Sequence, residues 1–584
     1  MTPIDLESID NYPNSIFLGS WCNHFKATKK FKNIKSLEYH WADREKFDND
    51  YRYLHDLVER LLPEVSNYLN KFHSMNKKND FWRIIIGPWL ITFISVIWER
   101  YETIRLATND FDEVPITSVA PIVDLRSNDF YAFRRMLDDD AWNHAIFSEV
   151  LRFSFNQEFK TITDFNFQES ITRLNLTDFH PKSLLKKFFI KIIYFTEKCI
   201  FSVIKLFNLK IKFLMHHAYF DKFFQIKLLI SLKSIPTFNS YFKEPLNFKK
   251  ADAAFEYPKF EFNTTNNFEQ FVKHTLISHM PYSYLNGFNE IFQLTKKVPD
   301  AEVILTANAH WYNEVFKIWA AHQTEKSSRL IISEHGGGFP IKYNLMDHPE
   351  KISKSFIVWG RQFHNNHYRL PTNKLTKYKN EFTDNNFDEI TLIDFESVRY
   401  GYRAVSAPVG PLVETVFNQN YEIISALRHD EMIEPRLRVL PKYLGSWKFE
   451  EIYKKDFGDK ILSNHKSIEK VINHSSLIIC SYPQTTFSES MYLGKPTILV
   501  FDPTYWDIHP AFTELVEVLR NAKVIFFKGS EAVEHIKKIS NNISEWWLSE
   551  SVQEARNLFL RDCLTISSSP LSEWNQFLRY QDKK

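Results

Sequence analysis

Two short stretches carry residues whose types and spacing suit the binding of a phosphorylated ligand. The first is Glu334-His335-Gly336-Gly337-Gly338, directly after the apolar run Arg329-Leu-Ile-Ile-Ser333. Glycine is scarce here, 13 among 584 residues, against an average of roughly 7%. Consecutive glycines let backbone approach a ligand and adopt φ values closed to other residues; a strained turn without a ligand is the alternative. His335 could donate to a phosphate oxygen or act as a base near neutral pH. The second stretch is Ser481-Tyr-Pro-Gln484-Thr485-Thr486-Phe-Ser488-Glu489, between an apolar run and a helical pattern that stops at Gly494-Lys495-Pro496. Gln484, the hydroxyls of Thr485, Thr486 and Ser488, and the free N–H groups of a helix start form an anion site. Glu489, one turn in, could accept from a pair of sugar hydroxyls. The alternative, compatible with the first, is that Thr485 and Thr486 cap the helix and Glu489 completes a capping box.

Other candidates are more scattered. Arg438, with Arg436, flanks a strand and could reach a phosphate or a carboxylate through its guanidinium fork; a surface ion pair is equally open. Gly19 and Ser20 close an apolar run, Ser15 to Ser20, and Trp21 follows it, where small residues commonly open a ligand-facing loop. Asp138-Asp139-Asp140 precedes Ala-Trp-Asn143-His144 at a helix start. These acids, with His24 and His335, are the candidates for a base that deprotonates an attacking hydroxyl; the Asp139 cluster, with Asp138, is preferred for the base and His335 for contact with the donor. A solvated N-cap is the other reading of the aspartates. No Asp-x-Asp pair follows a strand, so no metal is expected, and a helix dipole with basic side chains is left to neutralise a leaving phosphate.

The elements that must hold these residues read as follows. At 584 residues the chain exceeds one ordinary core, so two or three packed units are expected. Strand, helix and strand alternate from Ala301 onward, the rhythm of parallel α/β sheets, with strands at 302–306, 329–333, 355–359, 389–394, 437–440, 476–480, 496–500 and 523–526; the run near 361–387 reads as a connection. The fold class is therefore α/β, two Rossmann-like halves. Residues 43–71 carry a helical apolar spacing. The segment from Phe81 to Trp98 is apolar enough for a membrane, but Arg83 and Gly87-Pro88 interrupt it, short of the about 20 clean residues a span needs; a buried helix is expected. Residues 182–233 alternate lysines with Leu, Phe and Ile against only Glu197 and Asp221, the pattern of a helix lying on an anionic membrane face or of an ordinary lysine-rich surface insert.

Bulk charge excludes some classes. The 73 basic and 71 acidic residues nearly cancel, so no nucleic acid is expected as partner. Four cysteines, Cys22, Cys199, Cys480 and Cys563, are far apart and contain no CxxC pair, against both zinc and a disulfide framework. The first residues, MTPIDLESIDNYPNS, lack the basic start and apolar run of a secretory signal. A cytoplasmic location is expected.

From Thr486 the order T-x-x-E-x-x-x-x-G-K-P-T resembles the nucleotide-sugar element of GT-B glycosyltransferases, and is similar to capsule-type Kdo transferases, whose first half ends a strand in Gln-His-Gly. Glu334 stands at that Gln position. Over nearly the whole chain, Leu18 to Cys22, Tyr39 to Arg44, Phe81-Trp82-Arg83 with Gly87 to Leu90, Asp139 to Asn143, the His-Gly-Gly-Gly run and the Thr-Phe-Ser-Glu element resemble a family of transferases from bacterial surface-carbohydrate gene clusters. The resemblance implies a GT-B-like fold of two Rossmann-like domains facing a cleft: 1–385 with a helical basic insert at about 150–267, 386–545 for the nucleotide sugar, and a C-terminal helix in 546–584 packing back on the first domain. It implies transfer from a CMP-linked ulosonic sugar, as substrate rather than cofactor, to a polysaccharide or lipopolysaccharide acceptor; peripheral inner-membrane contact through 182–233 stays one of the two readings of that stretch. The competing functions are a nucleotide-sugar epimerase or hydrolase, and a non-catalytic membrane-docking scaffold.

Overall fold

Short runs of Ile, Leu and Val bounded by polar turns become strands buried on both faces, as parallel sheets require. In the computed structural model the described residues are 2, 4, 16–22, 35–109, 118–175, 184–236, 242, 256–376, 389–429, 434–440, 447–465 and 467–583. His24 lies outside them. The first sheet holds β1 (Ile211–Met215), β2 (Ala301–Thr306), β3 (Arg329–Ser333), β4 (Ser355–Val358) and β5 (His367–Arg369), all parallel and side by side in chain order. The second holds β6 (Ile390–Phe395), β7 (Pro435–Leu440), β8 (Leu477–Cys480), β9 (Thr497–Val500) and β10 (Ile525–Phe526), parallel in the order β10-β9-β8-β6-β7. Register sets Leu477 to Cys480 opposite Ile390 to Ile393. The two sheets are the two α/β halves that the sequence predicts.

A helical layer precedes the first sheet. α1 (Arg44–His73) starts on Asp43, whose carboxylate accepts the N–H groups of Glu45 and Lys46, and ends on Ser74 in the left-handed conformation. α2 (Asn79–Ala107) runs through Pro88 and packs along α1; its apolar window is 89% buried, so the core absorbs a segment of membrane-like composition. α3 (Asp140–Ser154) packs on α2.

Three expectations are corrected. Residues 16–20 form no strand, only a bridge from Phe17 to Ser36. The stretch expected to be a purely helical insert contributes a strand: α4 (Leu184–Leu206) leads into β1, the edge strand of the first sheet, and α5 (Lys222–Ser231) follows it. β5 lies in the expected connection; its polar sequence, His-Tyr-Arg, suits the opposite, solvent-facing edge. At the C-terminus, Trp574, Phe577 and Leu578 of the last helix (Pro570–Lys583) join Phe213, Val303 and Ile331 in a core on the first sheet.

Candidate functional site

In open parallel sheets ligands bind beyond the C-terminal strand ends, where the strand order reverses. That reversal lies between β6 and β8. β8 passes into Ser481, whose N–H and hydroxyl both donate to the Ile393 carbonyl on β6, at 3.2 and 2.9 Å. Helix α6 (Thr485–Leu493) then begins with no side-chain cap. Gln484, at the cap position, donates instead to the Phe339 carbonyl at 3.1 Å, and Thr486 bonds the Tyr482 hydroxyl at 2.7 Å. The capping-box alternative is thus not what forms. Gly494 ends the helix at φ 73°, a conformation that favours glycine.

The first domain comes to the same helix start. A Cβ on Gly336 would lie 2.6 Å from Thr485 Oγ1, and one on Gly338 2.5 Å from the Pro483 carbonyl oxygen. Phe339 N–H donates to that carbonyl at 3.0 Å. None of the three glycines has positive φ, so close approach between the domains, not an unusual turn, explains Gly336 and Gly338. Gly337 meets nothing within 4 Å and stays open to the cavity beside it.

That cavity, of about 640 Å³, lies beyond the ends of β2, β3 and β4; Glu334, His335, Gly336, Gly337 and His310 line it, with Arg403, Gln484 and His509 from the second domain. Glu334 Oε2 accepts the Trp359 N–H at 2.6 Å. Burial, assisted by the charge of Glu350, pushes its carboxyl up to about 7, a value suited to proton transfer near neutrality. Sequence reasoning treated Glu334 only as a departure from an amide; nothing local signals how its surroundings shift it. Burial lowers His310 to about 3, and partial burial followed by the Lys374 charge lowers His335, so both are neutral imidazoles at pH 7. His335 stays exposed, its ring 5.3 Å from that of Tyr219. Glu489 is buried and pairs with Lys374 of the first domain at 2.8 Å; the hydroxyl of neighbouring Ser488 is buried with no hydrogen-bond partner among the described residues.

The remaining candidates stand elsewhere. Asp139 caps α3 by accepting the Trp142 N–H at 3.0 Å. Asp138 is buried against Arg134 at 2.8 Å, burial raising it to about 6. Asp140 takes Arg399 at 3.0 and 2.9 Å and the Tyr400 hydroxyl at 2.6 Å. None of the three lines the cavity; each is engaged by a partner of its own. Trp21 is a core residue between Phe147 and Tyr400; Gly19 lies against its ring, and the Ser20 hydroxyl donates to Glu414. Arg438 sits on edge strand β7, on the face of Arg436, which pairs with Glu389 and Glu434. Arg100 holds Asn143 at 2.8 Å and the Gly401 carbonyl at 2.7 Å, so that Ser20, Trp21, Asp140 and Asn143 are tied, directly or through Arg100, to residues 396–414. They brace the second domain against the helical layer.

Among the described residues no group of three or more His, Cys, Asp or Glu could hold a metal ion, and the four cysteines are unbridged. No curated protein matches the chain. Similar solved structures include spinosyn rhamnosyltransferase SpnG with spinosyn aglycone (11% identity, 50% of this chain and 76% of that one, TM-score 0.31), S. aureus MnaA with UDP (10%, 62% and 94%, 0.34) and Acinetobacter baumannii MurG (12%, 66% and 96%, 0.31). The sequence model of the LIC12162 family transferase spans residues 2–578, nearly the whole molecule, and the chain belongs to that family of transferases.

Proposed function

We propose that the protein is a glycosyltransferase whose nucleotide-sugar donor binds at the start of α6 and whose acceptor hydroxyl enters the cavity at Glu334. One observation carries this reading: an uncapped helix start at the order reversal of the second sheet meets the glycine run of the first, beside a 640 Å³ cavity. The N–H groups of α6 favour an anion, and Glu489 suits the sugar hydroxyls of the donor. As the acceptor oxygen bonds the anomeric carbon, the bond from that carbon to the phosphate oxygen breaks and the phosphate leaves with the electron pair. Glu334 takes the hydroxyl proton, replacing Asp139 in that role.

The favoured donor is a CMP-linked ulosonic acid and the favoured acceptor a surface polysaccharide or lipopolysaccharide glycan, in the cytoplasm at the inner membrane. Membrane contact is supported by Phe195, Leu206, Phe207 and Phe223, which are between 66% and 79% exposed. Lys198, Lys205, Lys210, Lys222, Lys227 and Lys233 in the same stretch of chain are exposed too, a composition that suits anionic lipid. A thermal-shift series with CMP, UDP, GDP and ADP tests the donor, because a ligand of the folded state raises its melting temperature. CMP alone shifting it supports the ulosonate donor, UDP or GDP alone replaces that donor, and no shift removes the transferase site from α6.

A further inference from the structure

A buried carboxylate needs a partner, and that of Glu489 comes from the other domain. Lys374 Nζ lies 2.8 Å from Glu489 Oε1, with the lysine side chain 33% exposed and the glutamate 4%. The backbone beneath Lys374 is fixed by Asn373, which is fully buried. The Asn373 side chain accepts from Trp359 Nε1 at 3.1 Å and from the Lys374 N–H at 2.9 Å, and donates to the Ala218 carbonyl at 2.7 Å. The lysine is thus anchored at its root, and its tip reaches Glu489 across the interface.

An ammonium has three donors, and one carboxylate oxygen leaves others to spare. Its charge stands one turn into α6, where it also lowers His335. Were the contact only mechanical, apolar residues would hold the domains as well. We propose that Lys374 is a ligand of the donor phosphate, holding Glu489 with one N–H and a phosphate oxygen with another, so that the first domain supplies the cation for the second domain's anion site. This rests on the reading of α6 as the donor site.

The test is calorimetric titration of the full chain with the nucleotide that shifts its melting temperature, and with the matching nucleoside. In the wild type the nucleotide binds more tightly than the nucleoside. Lys374→Met is expected to reduce that preference at least tenfold while nucleoside affinity stays, and Lys374→Arg to keep it. An unchanged nucleoside-to-nucleotide ratio in Lys374→Met, or equal loss of both affinities, overturns the proposal. Failure of the wild type to prefer the nucleotide removes the donor-site reading itself, and the role of Lys374 with it.

Discussion

Gly338 faces Pro483 so closely that a Cβ on the glycine would sit 2.5 Å from the proline carbonyl oxygen and 3.0 Å from Gln484 Cα. Both neighbours are backbone and cannot swing aside, so the third glycine of the run is a hinge-free contact between two domains. Gly338→Ala is expected to lower stability by about 1–3 kcal/mol, the usual scale of overpacking. Gly337→Ala, with open space around it, is expected to stay close to wild type. Denaturant melts of the two variants check this, and equal melting would show that the domains do not close on Gly338.

Glu334 ties activity and stability to pH in opposite directions. Its carboxyl rises from 4.5 to about 7 in the folded state, so the folded protein holds a proton that the unfolded chain has released. The corresponding stability is present in full below about pH 4.5 and is lost as pH rises through about 7. Transfer, which needs the ionised base, rises over the same upper limb. Glu334→Gln is expected to flatten this part of the stability profile and to slow transfer about 10²–10⁴-fold. A variant that keeps the rate and its pH limb would remove Glu334 from the chemistry.

Asp139 serves as a test of the opposite kind. As the cap of α3, its loss in Asp139→Ala is expected to cost about 0.5–2 kcal/mol of stability and to leave the transfer rate of the folded protein unchanged. Asp139→Asn or Asp139→Ser should restore most of the stability. Rate loss without stability loss would return Asp139 to the candidate bases.

For the lipid surface, a Leu206→Ser, Phe207→Ser double variant is expected to bind vesicles containing an anionic phospholipid at least tenfold more weakly than the wild type, with its melting temperature retained. Both side chains are mostly exposed and contribute little to the core. Binding equal to the wild type in a flotation assay would leave this face without a membrane role.

The sequence by itself determined the two α/β halves. Their strands are short apolar runs whose type follows from local composition, and the Thr485 helix start and Gly494 stop follow from residue types adjacent in the chain. It also placed Glu334 to Gly338 and Gln484 to Glu489 directly after strands, where the structure has them. What it could not determine were contacts between distant segments. β1 lies in a lysine-rich stretch that resembles a surface helix, and only pairing with β2 makes it a strand. Asp138, Asp139 and Trp21 look reactive in isolation, but Arg134, the Trp142 N–H and the ring of Tyr400 engage them in the folded chain. Conversely, Glu334 and Lys374 acquire their chemistry from burial and from a partner 115 positions away, 489 − 374, across the interface. Proton affinity and ion pairing depend on what surrounds a charge in space, and that environment exists only once the two sheets have met.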